Sequence, residues 1–210
     1  MHPEMFDELL NRVGPGCQKP DTPFRKALDP VEWRTLAEEF QTKWNVPHAC
    51  GAIDGKHVAI RCPNNTGSLF HNYKGFFSVV LLALVDADYR FVWTEIDGYG
   101  SMSDAQIYES ELKECLEDGT LGFPDPDPIP NDDQDMPNFI LGDDAFGLRT
   151  HLMKPYSHRG LSKQEFITNY RISRERRVVK NALGILAQRW QIVLTTMMQG
   201  PDIVRTVLEA

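Results

Sequence analysis

The sequence predicts an α/β domain, a mixed sheet flanked by helices, with a short helical N-terminal extension. Three observations lead there. Three strand-like runs follow one another from Cys50 to Ile96 with only loops and turns between them. A fourth, Phe139-Ile140-Leu141, comes after a helical stretch. From Ser162 or Arg174 to Trp190 the apolar residues recur at helical spacing instead. At 210 residues and 41% hydrophobic content, the chain suffices for one domain with a buried core. No apolar run approaches the roughly 18 residues that span a bilayer. Met1-His2-Pro3-Glu4-Met5 lacks the basic and apolar regions of a signal peptide, so a soluble intracellular protein is expected.

In chain order, Phe6 to Val13 and Pro30 to Trp44 read as amphipathic helices, joined by the Gly/Pro connector Gly14 to Pro23. The second carries Val31, Trp33, Leu36, Ala37 and Phe40 on a helical period. Cys50 to Ile60 is the first strand. Phe76 to Val85 is almost continuously apolar, as a strand covered on both faces must be. Asp86-Ala87-Asp88-Tyr89 is a turn, and Phe91 to Ile96 the third strand of a meander. Ser103 is placed to cap a helix carrying Ile107, Leu112 and Leu116. Pro124 to Pro137 alternates proline with aspartate and is expected to be a mobile acidic loop. After the Phe139 strand, Leu148 to Met153 reads as a short helix stopped by Pro155. In the final helix, Val179, Leu183, Leu186 and Trp190 form one stripe. Three meandering strands, a helix, a fourth strand and a long last helix suit the ribonuclease-H-like fold.

Asp54 is the residue that needs explaining. It interrupts an apolar strand between Ile53 and Gly55, where a charge costs free energy unless a metal, a base or backbone donors meet it. Alone, Asp54-Gly55 is a hairpin-turn signal. A second strand ends the same way at Gly142-Asp143. Two acid-terminated strands can deliver both carboxylates to one edge of a sheet, where open α/β sheets hold their ligands.

Charge is segregated within a net of -8. From Asp104 to Asp144 there are 13 acids and one base; from Arg149 to Trp190 there are 10 bases and two acids. The basic third could meet a phosphate backbone, or the two blocks could attract each other. Cys17, Cys50, Cys62 and Cys115 form no C-x-x-C pair. His48, Cys50, His57 and Cys62 are potential zinc ligands, but at spacings that match no known finger.

Gly51-Ala52-Ile53-Asp54-Gly55-Lys56-His57, Asn72-Tyr73-Lys74-Gly75, Gly100-Ser101-x-x-Asp104, Leu141-Gly142-Asp143-x-Ala145-Phe146 and Asn169-Tyr170-Arg171-Ile172-Ser173-Arg174 occur in this order. Together they resemble the PIF/Harbinger transposase family and the Harbinger transposase-derived nucleases, members of the DDE superfamily. The resemblance implies a truncated helical N-terminal region, 1–45, lacking much of a helix-turn-helix, and a DDE transposase-type nuclease domain, 46–210. It implies phosphodiester cleavage of DNA with Mg²⁺ or Mn²⁺, Asp54 and Asp143 being catalytic metal ligands and Asp104 a supporting one. Arg171, Arg174, Arg176 and Arg177 would lie along the DNA backbone. A nuclear location, with the cytoplasm as a possible second one, and a Myb-like DNA-binding protein as possible partner also follow; a membrane does not.

One departure weighs against cleavage. The family's third acid, the Glu of a Val-Glu-Asn-x-x-Gly motif, is matched by Lys180 in Val179-Lys180-Asn181-Ala182-Leu183-Gly184. An ammonium directed at two aspartates opposes metal entry. Glu175 is a poor substitute, because five helical residues rotate it by about 140°. Metal binding and cleavage are therefore expected to be impaired, and a catalytically inactive module that binds DNA or a Myb-like protein is the alternative.

Overall fold

A computed structural model describes residues 30–109, 111–117, 122–129, 133–157 and 159–209. The expected Phe6 to Val13 helix and its connector lie outside those residues. The element order is α1 (Pro30–Trp44), β1 (Ala49–Ala59), β2 (Ser78–Val85), β3 (Phe91–Tyr99), α2 (Asp104–Tyr108), α3 (Glu111–Glu117), β4 (Asp127–Pro128), β5 (Asp135–Met136), β6 (Phe139–Leu141), β7 (Leu152–Met153), α4 (Lys163–Glu175), α5 (Arg177–Arg189), a 3₁₀ turn (Gln191–Leu194) and α6 (Pro201–Glu209).

The main sheet has the order β3-β2-β1-β6-β7. β1, β2 and β3 form the antiparallel meander, while β6 runs parallel to β1 and β7 parallel to β6. The apolar run of β2 follows from burial on both faces. Leu81, Ala83 and Val85 pack with Ile172, Val178, Val179, Ala182 and Leu183 of α4 and α5. Val80, Leu82 and Leu84 pack on the other face with Ile107, Tyr108, Leu112 and the α1 residue Trp33. Each such leucine or valine contributes about 1.5–3 kcal/mol. A third cluster, Val58, Ile60, Phe70 and Val79, is closed by Val193 of the 3₁₀ turn, Met197 of the segment after it and Val204 of α6.

Four expectations change. Leu148 to Met153 is not helical: Leu152–Met153 extends the sheet, its flanking carbonyls accepting the N–H groups of Ile140 and Gly142 at 2.9 Å. Part of the acidic loop is ordered as the β4–β5 ribbon, where the Met136 carbonyl meets His48 Nδ1 at 3.0 Å. The long last helix is broken into α4 and α5 at Arg176, and the final helix is α6. Finally, Trp190, placed in the buried stripe, is 64% exposed just past the end of α5. The strand read from Cys50 to Ile60 is found: β1 runs straight through Asp54-Gly55, paired with Ala83 and Leu82.

Candidate functional site: three aspartates and an arginine

The parallel pairing of β1 with β6 decides where the acids meet. Ala52 is opposite Leu141, so Asp54 and Asp143, each two residues further on, leave that pairing at the same level. β1 continues beyond the point where β6 ends. The Asp143 carboxylate turns the chain by accepting the Ala145 N–H at 3.0 Å, which directs Phe146 into the core.

Asp104 arrives from the other face. Ser103 caps α2 reciprocally with Gln106 and fixes Asp104 in the first turn. There its carboxylate accepts the Gly55 N–H at 3.2 Å. A Cβ on residue 55 would lie 2.1 Å from Asp104 Oδ1, so glycine is required for this approach.

Arg176 occupies the space between the strand acids. It is the residue between α4 and α5, with helical backbone angles, and its N–H still donates to the Ile172 carbonyl. Its Nη2 lies 3.4 Å from Asp54 Oδ1 and 3.7 Å from Asp143 Oδ2. Lys180, one turn along α5, is exposed and sits outside it. Lys180 is the cation expected to face both aspartates; its charge acts on Asp54, but the cation in contact with the pair is Arg176. The signal for it was present, since Arg176 and Lys180 stand at i and i+4 on one helix face.

Electrostatics follow from this packing. Burial pushes the Asp104 carboxyl up to about 6, and the charges of Asp54 and Asp143 add to the push. Burial also raises Asp54, opposed first by Arg176 and then by Lys180. Glu175 stands apart. It is fully buried, its two oxygens have no hydrogen-bond partner, and burial lifts it to about 7 against the pull of Arg174 and Arg171.

Of the four arginines expected along a DNA backbone, Arg171 and Arg177 are exposed. Arg174 is half-buried and donates to the Trp44 carbonyl. Arg176 is 8% exposed and faces the acids. The zinc candidates do not converge: His48 is held by Met136, Cys50 is buried beside Trp33 and Asn138, His57 meets Ser78, and Cys62 is exposed.

Aspartates gathered where two adjacent parallel strands diverge, on a mixed sheet covered by helices, define a carboxylate-centred α/β domain. The chain belongs to the DDE superfamily endonuclease family, whose profile matches residues 53–210. It is 27% identical over 184 residues to "Protein ALP1-like" of Arabidopsis thaliana, covering 84% of this chain and 45% of that protein. It is 29% identical over 164 residues to "Putative nuclease HARBI1" of Rattus norvegicus, covering 78% and 43%, and 31% over 121 residues to the Xenopus laevis protein of that name, covering 57% and 31%. The chain therefore spans less than half the length of these relatives. No solved structure matches it. Among the described residues no helix is long and apolar enough to cross a membrane.

Endonucleases of this superfamily generally use divalent metals. The donor set here does not fit one as arranged. Among the described residues no group of three or more His, Cys, Asp or Glu side chains could hold an ion, and a guanidinium stands between Asp54 and Asp143. An incoming ion would meet a fixed cation at the position where both carboxylates point.

Proposed function

We propose that this chain is a nuclease-like, transposase-derived domain of ribonuclease-H type that binds DNA in the nucleus and whose phosphodiester cleavage is impaired. The observation that carries the reading is Arg176 bridging Asp54 and Asp143, with Lys180 outside it where the third acid of the family would stand. Asp54 and Asp143 are the catalytic pair by position, and Asp104 supports them through Gly55. In this arrangement the pair is ion-paired rather than free to coordinate. Arg171 and Arg177 on the exposed side of α4 and α5, with Arg174 behind them, supply the backbone contacts.

A second reading, a non-catalytic module that binds DNA or a Myb-like protein, is favoured by Phe166 and Tyr170. These lie at i and i+4 on α4, 65% and 61% exposed. Exposed aromatics beside arginines suit a protein partner as well as a phosphate backbone.

The test is calorimetric titration with Mg²⁺ and Mn²⁺ and a plasmid-nicking assay, on the wild type and Lys180→Glu, together with duplex binding across a salt series. Expected are no saturable metal heat and no nicking by the wild type, and a duplex affinity that falls steeply with salt. A wild type that nicks at a rate indifferent to Lys180→Glu would overturn the impairment. A flat salt response would remove the basic face as a DNA surface.

A further inference from the structure

The loop before β2 is built more firmly than a connector requires. Asn72, 2% exposed, accepts the N–H groups of Lys74 and Phe76 on Oδ1 at 3.0 and 3.2 Å. Its Nδ2 donates to Ser78 Oγ at 2.9 Å, and the same buried hydroxyl meets His57 Nδ1 at 2.9 Å. Gly75, at φ +88°, makes the turn and donates its N–H to the Asn72 carbonyl. Gly100 closes the other side of Ser78 so tightly that a Cβ there would lie 2.6 Å from Oγ.

This buried polar frame holds up a ring that faces solvent. Tyr73 is 84% exposed, the highest value among the described large hydrophobic residues. Its ring meets His57 edge-on at 5.6 Å and 71°, and Lys74 Nζ lies 5.3 Å from its centroid. A fixed ring with an open face and an adjacent ammonium has the chemistry of a stacking platform for a nucleobase beside its phosphate.

The platform also stands next to the acids. His57 is three residues beyond Asp54 on β1, about 10 Å along the strand, and by the alternation of side chains lies on the face from which Asp104 approaches Gly55. The Lys74 ammonium reaches both places: after burial it helps to lower the pKa of His57, and it opposes the upward push on Asp104. Past a cluster of carboxylates, a polyanion needs such a cation to lie close. Inside a duplex the faces of a base are covered by its neighbours, so an open ring face selects strands whose bases are unstacked.

We propose that Tyr73 stacks one unpaired base of a DNA single strand passing the acid cluster, while Lys74 meets the neighbouring phosphate. This rests on the DNA-binding reading above and names the form of DNA that the site takes.

The experiment is fluorescence anisotropy with a dye-labelled single-stranded DNA oligonucleotide and with its duplex, in EDTA at one salt concentration, for the wild type, Tyr73→Ala and Tyr73→Phe. Tyr73→Ala is expected to weaken single-strand binding roughly 5- to 150-fold, the loss of one stacked base, and to leave duplex binding unchanged. Tyr73→Phe, which keeps the ring, should stay within about twofold of the wild type. Because the side chain is exposed, all three should melt alike. Equal single-strand affinity in wild type and Tyr73→Ala, or an equal loss for both DNA forms, would overturn the platform. If the wild type binds neither form, the DNA-binding reading falls as well; if duplex binding survives and single-strand affinity ignores Tyr73, only the platform falls.

Discussion

Replacing Arg176 by methionine removes the inner cation while keeping most of its apolar stem. Nη2 lies 3.4 Å from Asp54 and 3.7 Å from Asp143, and the three side chains are 10%, 14% and 26% exposed respectively. At an effective dielectric of about 20 each attraction is roughly 4–5 kcal/mol before desolvation is subtracted. Stripping one partner from a buried pair costs about 3–5 kcal/mol. With Asp143 a quarter exposed and Lys180 nearby, the low end applies, about 3 kcal/mol, which is a fall in Tm of about 6–12 °C for a domain of this size. The sign with pH is fixed. Arg176 is the strongest influence holding the Asp54 pKa down, so its loss leaves three carboxylates repelling one another when charged. The variant should therefore recover toward the wild type as pH falls and Asp54 and Asp104, both raised, take up protons. Millimolar Mn²⁺ should stabilise Arg176→Met and leave the wild type unmoved. Thermal unfolding by circular dichroism at about pH 5 and about pH 7.5, with EDTA or MnCl₂, checks all three statements. An unchanged Tm at neutral pH, or equal Mn²⁺ stabilisation of both proteins, would refute the reasoning.

Glu175→Gln should flatten a pH dependence of the whole fold. The folded carboxyl titrates at about 7 against 4.5 ordinarily, so stability is fullest below pH 4.5 and is lost as pH rises through about 7. The loss is at most about 3 kcal/mol. Urea midpoints across that range should fall for the wild type and stay level for the glutamine variant; parallel curves would contradict the burial argument. Gly55→Ala should cost about 1–3 kcal/mol, because the new methyl displaces the Asp104 carboxylate from the Gly55 N–H. In an Asp104→Ala background the same change should cost much less, and strict additivity in that double-mutant cycle would sink the explanation.

The legible parts of this chain were those with a long period or a repeated context. The meander could be read because β2 is apolar throughout and β1 and β3 flank it with turn residues. The approach of Asp54 to Asp143 could be read because each acid follows an apolar strand run and has a glycine beside it, and parallel pairing brings equal positions level. Two-residue strands such as β4, β5 and β7 carry no period at all. His48, held against the Met136 carbonyl, and the hydrogen bonds from β6 to the backbone beside Leu152 fix them, and these are contacts across distance in the chain. The break at Arg176 was equally hidden, for its backbone angles are still helical and its side chain suits a helix.

Which cation faces the acids is a question of depth, and sequence spacing does not measure depth. Motif position singled out residue 180, yet Arg176, where α5 begins, is 8% exposed, while Lys180, one turn further along, is exposed. Arg176 therefore stands inside Lys180. A carboxylate restored at 180 alone would meet that guanidinium before it met an ion. Lys180→Glu should then pair with Arg176 at i and i+4. Arg176→Met opens the space between Asp54 and Asp143, and adding Lys180→Glu supplies it with the family's third acid. If Lys180→Glu alone gained as much Mn²⁺ affinity as the double, the guanidinium would not be the group that closes this cluster.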